Sequence, residues 1–228
     1  MPVQVKYTRR ADDNGWLAVA LSGSRQLGFL CEYTKVELIR EVTGRIFFRI
    51  ADGNSDHVGK EASLKKENAD QFLSDGAPGA PAIVQVRYSG PAAEEVSPFK
   101  GRLKQQWAQA GFDGDHALIT LNSVWGGQYT PIPEGTHRIM APDTSHGNIS
   151  TAGYRAATPG LRCTDVWFPI ELAGTSGNSS RYVHAGHLSE GCVTVHELTK
   201  WNALYDYLIA SRVPGSGGKY VGNLMVRI

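Results

Sequence analysis

Hydrophobic residues recur along this chain mostly in short alternating runs, not in long helical stripes. Trp16–Ala20, Gln26–Glu32, Ile46–Ile50 and Ala82–Tyr88 read as short strands, and Ala117–Ser123 alternates well enough for another. Thr130-Pro131-Ile132-Pro133-Glu134-Gly135 is a stiff turn leading into one more strand that carries His137 and Ile139. Three stretches fit helical spacing instead. Lys60–Ser74 reads as a charged helix with few apolar anchors, and Phe99–Ala110 as an amphipathic helix carrying Leu103 and Trp107. The third opens at Val193-Thr194-Val195. There Thr194 and Glu197 have capping-box spacing, and Leu198, Trp201, Leu204, Tyr205, Leu208 and Ile209 recur at helical intervals. Asp75–Pro81 and Ser89-Gly90-Pro91 are breakers. The pattern predicts a mainly β chain with a few helices, an α+β class, with no internal repeat.

At 228 residues the chain can bury a core as one large or two small domains. The second breaker divides it into a β-rich region over 1–90, of unassigned role, and a domain over 91–228. A net charge of +1 argues against a nucleic-acid partner or a strong electrostatic anchor. The cysteines at 31, 163 and 192 are widely spaced, and their odd number leaves at least one unpaired, so no disulfide framework is implied. The opening Met1–Arg10 has no apolar core of signal-peptide length, and no later run approaches a membrane span. Synthesis in the cytoplasm without a signal peptide is therefore expected.

The chemistry concentrates between Tyr182 and Val195. His184 and Cys192 stand on opposite sides of a short Gly-containing turn with β-branched residues on both flanks, which predicts a local hairpin that joins a nucleophile to its base. A free thiol is only partly ionised at neutral pH, and an adjacent imidazole raises the thiolate fraction. A helix opening just after Cys192 would favour the thiolate further, so a depressed Cys192 pKa is expected. Two plainer readings stand beside this one. Cys192 could be a small buried hydrophobe, or His184, His187 and Cys192 could bind zinc with His196 or Cys163 as fourth ligand. The polar segment Ala141–Arg162, which holds His146, Tyr154 and Arg155, is a candidate lid, with His146 read as a loop residue.

Taken together, Pro131–Ile139, His184-Ala185-Gly186 and Ser189-Glu190-Gly191-Cys192 resemble the catalytic domain of the L,D-transpeptidases. The likeness is closer to that family's branch of type VI secretion effectors that attack peptidoglycan. It covers roughly residues 115 to 228, and its weight rests on motif order and spacing. The resemblance implies a β-sandwich catalytic domain with a smaller N-terminal β-rich region. It makes Cys192 the nucleophile and His184 the base, with the carbonyl of Ala185 orienting the ring. Gly191 and Cys192 would supply oxyanion N–H groups, and Ser189 would shape the turn. Housekeeping members carry histidine at the position of Glu190 and arginine at that of Thr194; the form found here is nearer the effectors.

The implied reaction is attack of Cys192 on the third residue of a peptidoglycan stem peptide, release of a terminal D-amino acid, and resolution of the thioester by water or an amine. No metal or organic cofactor is required. Tyr182, Tyr154, Arg155, Glu190 and His187 are the candidate substrate contacts, although His187 also reads as a solvated loop histidine. Contact-dependent secretion would reconcile a missing signal with a periplasmic substrate in a target bacterium, and an already removed signal would do so equally well. Expected partners are the stem peptide, an immunity protein and a component of the secretion apparatus. The rival readings are a catalytically silent wall-binding or secretion-docking protein and a papain-like amidase, in which cysteine generally precedes histidine.

Overall fold

The computed structural model describes residues 3–228. The chain is mainly β with few helices. Its first part forms one seven-stranded sheet from β1 (Val5–Thr8), β2 (Trp16–Leu21), β3 (Leu27–Cys31), β4 (Lys35–Val42), β5 (Arg45–Ile50), β6 (Glu61–Lys65) and β7 (Leu73–Ser74), in the order β3-β2-β6-β5-β4-β1-β7. Helix α1 (Lys66–Phe72) packs its Ala69 into the core that this sheet builds from Leu17, Val19, Leu30, Val36, Phe48, Ile50 and Leu64.

The remainder is organised around a closed eight-stranded barrel. Its strands are β8 (Ala82–Tyr88), β11 (Trp107–Phe112), β12 (Asp115–Asn122), β13 (Gly135–Met140), β14 (Phe168–Glu171), β15 (Tyr182–Ala185), β16 (Glu190–Val195) and β17 (Tyr220–Arg227). Around the closed ring they run β11-β12-β16-β15-β14-β13-β17-β8. A separate hairpin, β9 (Ala93–Ser97) with β10 (Gly101–Gln105), stands beside the barrel. Two short helices complete the fold: α2 (Ala152–Ala157) and α3 (Trp201–Ile209), the latter preceded by a 3-10 turn over Leu198–Lys200. Strand β8 shows how pattern becomes layer: Ala82, Val84 and Val86 point inward and are fully buried, while Ile83, Gln85 and Arg87 face out. Helix α3 buries Trp201, Leu204, Tyr205 and Leu208 in the same core cluster.

Two joins in the barrel are parallel, β15 with β16 and β8 with β17. At the second, a Cβ on Gly222 would overlap the carbonyl of Ala82, so the close backbone approach requires glycine. The first sheet is bonded to the barrel through buried polar groups. Tyr205 donates its hydroxyl to Glu32 Oε2 at 3.0 Å and Arg212 donates to the Glu32 carbonyl at 3.1 Å, while Arg10, from the first part itself and half-buried, pairs with the same carboxylate at 2.9 Å. Trp16 and Cys31 belong to the barrel's core cluster.

Several expectations are corrected here. Phe99–Ala110 is no helix; it spans β10 and the start of β11. Leu103 and Trp107 are four apart, a spacing that puts residues on one face of a strand as well as of a helix, and the strand ladders with β9 and β12 decide. Lys60–Ser74 is half strand, because Ala62 and Leu64 alternate into the first core and only Lys66–Phe72 coils. Val193-Thr194-Val195 continues a strand, and α3 begins only at Trp201. The part expected as a β-sandwich contains a closed eight-stranded barrel. Strand β8 belongs to that barrel, so the two sheets part at the 75–81 breaker, ahead of the division expected at residue 90. Among the described residues no helix is long and apolar enough to cross a membrane.

Candidate functional site

The segment Gly186–Cys192 is not the turn of a hairpin. Strands β15 and β16 are parallel neighbours, with His184 opposite Thr194 and Val183 opposite Val193. The chain must therefore leave β15, return alongside it and re-enter in the same direction. Gly186 (φ +153°) and Gly191 (φ +75°) make that return possible, since both adopt backbone conformations that L side chains rarely take. At Gly191 a Cβ would stand 2.6 Å from the Thr130 carbonyl and 2.9 Å from Tyr129 Cβ. The pairing of β16 with β12 also slips between Thr120 and Asn122, so Gly191 and Cys192 lie in a bulge that re-aims the cysteine.

Cys192 and His184 both line one cavity of about 330 Å³. Its walls are largely apolar: Val124, Tyr129, Ile149, Tyr154, Trp167, Tyr182 and Leu188 line it, with Lys100 and Glu190 as its charged side chains. Ile149, Ser150, Thr151 and Tyr154 come from the 141–162 segment, which forms one wall. The His184 ring is held at both nitrogens and on one face. The Ala185 carbonyl lies 3.0 Å from Nδ1, Thr194 Oγ1 lies 3.0 Å from Nε2, and the Trp167 indole stacks on its face at 4.1 Å and 15°. His146 stacks on the other face of Trp167 at 4.3 Å and 8°. Its ring therefore packs against the site from behind without lining the cavity.

Burial governs the protonation states. His184 is pushed down to about 4 by desolvation, against the pull of the Ala185 carbonyl, and is a neutral imidazole at neutral pH. The Cys192 thiol is pushed up to about 11, again by burial, with the backbone of Tyr182 and the charge of Arg181 opposing the shift. The expected depression of the Cys192 pKa is thus reversed. The helix start that was to stabilise a thiolate lies beyond Lys200, out of its range, and the neighbouring imidazole carries no charge. Cys31 and Cys163 also have raised pKa values from burial, but they sit in the core and line no part of this cavity.

The turn carrying Cys192 is pinned from behind. Cys192 N–H donates to Ser189 Oγ at 3.1 Å, Ser189 Oγ donates to the Cys192 carbonyl at 3.0 Å, and Ser189 N–H donates to Ser123 Oγ at 3.1 Å. The Cys192 amide is therefore already engaged and is not a free oxyanion donor. Glu190 lines the cavity but accepts from Gln128 N–H at 2.7 Å, which ties the 126–128 turn to β16. Tyr182 lines the cavity with its hydroxyl near Asn178 Nδ2, at 3.0 Å. Tyr154 lines it too and accepts from His187 N–H at 3.1 Å. Arg155 is adjacent in α2 but contributes nothing to the cavity lining.

His187 is neither a solvated loop residue nor a cavity contact. It is buried, with Nδ1 3.0 Å from Ser97 Oγ and its ring stacked on His196 at 3.7 Å. Desolvation and the neighbouring His196 hold it at about 4. The zinc set of His184, His187, Cys192 and His196 or Cys163 is not assembled. His184 is occupied by Ala185 and Thr194, and Cys163 lies in the core. Trp167 is the principal site residue that sequence reasoning missed. No short-range spacing ties it to His184, and only the fold brings the two rings together.

No protein-family model, no curated protein and no solved structure matches this chain.

Proposed function

We propose that the chain is a cysteine enzyme that modifies peptidoglycan, acting as an L,D-carboxypeptidase or L,D-transpeptidase on stem tetrapeptides. One observation carries the reading: Cys192 and His184 face one apolar cavity from neighbouring strands, with the imidazole fixed by the Ala185 carbonyl and the Trp167 ring. A thiol beside a positioned imidazole is the minimum equipment for acyl transfer.

The reaction starts from a neutral thiol and a neutral imidazole. A stem peptide filling the cavity brings the carbonyl of its third residue to Cys192 Sγ. As the C–S bond forms, the thiol proton passes to His184 Nε2, and the charge developing on the carbonyl oxygen is assigned to the Gly191 N–H. The tetrahedral intermediate collapses with cleavage of the peptide C–N bond, and His184 returns the proton to the departing D-amino acid. Water or an amine, deprotonated by His184, then opens the thioester. Water gives hydrolysis; an amine gives exchange or a cross-link. Delivery as a secreted antibacterial effector follows from the motif likeness and completes the proposal.

The experiment is digestion of tetrapeptide muropeptides by wild type and Cys192→Ala, with products resolved by mass. Cysteine-dependent loss of the terminal alanine is expected. Cleavage at the sugar–peptide amide would replace the reading with an amidase. One structural observation favours a second reading, a silent wall-binding or docking protein: the thiol is held fully protonated while the base is already hydrogen-bonded. Unchanged muropeptides would support it.

A further inference from the structure

On the far side of the 186–191 return, away from the cavity, His187 and His196 stack at 3.7 Å with their planes 27° apart, and the Glu95 carboxylate of β9 lies 3.0 Å from His196 Nε2. One ligand atom from each of Glu95, His187 and His196 lies within 4.8 Å of the other two. The three come from different places in the chain: the hairpin, the return that carries Cys192, and the end of β16. None lines the cavity.

The imidazoles are oriented before any ligand arrives. Ser97 Oγ holds His187 Nδ1 at 3.0 Å and itself accepts from the Phe99 and Lys100 N–H groups. Phe99 stands edge-on to His187 and Trp107 edge-on to His196, each at 4.8 Å and 84°. Both rings are thus fixed, His196 by packing and His187 by Ser97 as well; with an ion on Nε2, His187 carries its proton on Nδ1 and donates it to Ser97 Oγ, the outer bond that metal-bound histidines keep. Two imidazole nitrogens and one carboxylate form a donor set for a borderline ion of the zinc class, whereas calcium and magnesium take oxygen ligands. Tetrahedral zinc ligands lie roughly 3.4 Å apart, given bonds of about 2.1 Å; the Glu95–His196 pair at 3.0 Å is already inside that spacing, and no pair exceeds 4.8 Å.

We propose that Glu95, His187 and His196 bind one zinc-class divalent ion, with water completing its shell, and that this ion clamps the β9–β10 hairpin to the strand of the nucleophile. An isolated two-stranded hairpin is marginal in water. This one carries Lys100 to the cavity, so fastening it fixes one wall. The role is structural, and the site is independent of the proposed acyl-transfer chemistry.

The test is calorimetric titration of chelator-treated full-length protein with Zn2+, repeated with Co2+ and read by visible absorption. One ion per chain is expected, with Kd at or below about 1 μM. Glu95→Gln and His196→Gln should each weaken binding by more than about 100-fold, and Ser97→Ala, which loosens only the ring orientation, by about 10-fold. Glu95 is only partly buried, so its variant should keep the wild-type fold by circular dichroism. Cys192→Ser and His184→Gln should bind as wild type does. Absence of stoichiometric uptake by folded wild type would overturn the proposal. So would undiminished binding by Glu95→Gln, or loss of binding in Cys192→Ser.

Discussion

Thr194 Oγ1 lies 3.0 Å from His184 Nε2, and the Ala185 carbonyl on the other ring nitrogen decides which way that bond runs. A carbonyl only accepts, so Nδ1 carries the ring proton, Nε2 presents its lone pair, and the Thr194 hydroxyl donates to it. The atom that must take the Cys192 proton is occupied at rest. A donor bonded to the neutral imidazole also disfavours its protonation, in the same direction as burial. Thr194→Val should therefore free the base, make it easier to protonate, and raise the alkylation rate of Cys192 at pH 7 by about 10-fold. Thr194→Ser should behave as wild type. A rate in Thr194→Val equal to or below that of wild type would show that the hydroxyl does not restrain the base.

Alkylation also tests the resting thiol. With its pKa at about 11 and not the ordinary 9.0, Cys192 holds about 100-fold less thiolate at neutral pH. Iodoacetamide labelling at pH 7, read by peptide mapping, should be slower than that of a free thiol by about that factor. Cys192 should still label ahead of Cys31 and Cys163, because it alone lines the cavity. Fast labelling at mildly acidic pH would restore the ion-pair picture.

Stability should fall towards both ends of the pH range. His184 and His187 are held at about 4, below their ordinary 6.5, so the unfolded chain binds more protons between those values. Their contribution is complete above about pH 6.5 and is lost as pH falls through the window. Cys163 and Cys192 are raised to about 11, so their contribution is complete below about pH 9 and is lost as pH rises. Urea midpoints should be highest between these limits. A midpoint unchanged from pH 7 to pH 4.5 would contradict the buried, neutral histidines.

Gly191→Ala should cost at least about 2 kcal/mol in urea unfolding, since it forces a left-handed backbone on alanine and presses a methyl group against Thr130 and Tyr129. Gly44, also at positive φ but with open space around it, is the control, and Gly44→Ala should cost about 1–2 kcal/mol from the backbone alone. Equal losses at both sites would mean that the packing behind the cysteine is loose.

In cells, the proposed activity calls for compartment dependence. Expression with an added export signal should cause swelling or lysis that disappears in Cys192→Ala, while the cytoplasmic form should be tolerated. An immunity protein should then occupy the cavity mouth and touch the 141–162 wall. Periplasmic toxicity that survives Cys192→Ala would exclude the mechanism.

The sequence spoke clearly wherever one residue pattern answered to one force. Ala82–Tyr88 alternates without ambiguity because every second side chain enters the barrel. Gly186 and Gly191 marked a return of the chain because their requirement is local, yet whether that return joined antiparallel or parallel strands was not, and the expected hairpin gave way to a parallel pair. Thr194 and Glu197 misled because their side chains serve distant partners: Thr194 bonds His184, and Glu197 accepts from Leu118 N–H at 3.0 Å. The Trp167 stack and the burial of His187 under the β9–β10 hairpin are tertiary events without a sequence period. The sign of the Cys192 shift is likewise tertiary: desolvation, the largest cause, outweighs the Tyr182 backbone and the Arg181 charge that oppose it.

The barrel's seam has a temporal meaning. Strand β8 precedes all the other barrel strands and is held by β17, which follows them all, with Ala82 against Gly222. During synthesis the ribosome delivers His184 and Cys192 well before the partner that shuts the ring, and joining ends so distant in the chain is entropically slow. A half-made chain can hold both side chains yet lack the closed barrel around them. The ring therefore closes last at the β8–β17 seam, after every other stave has been made.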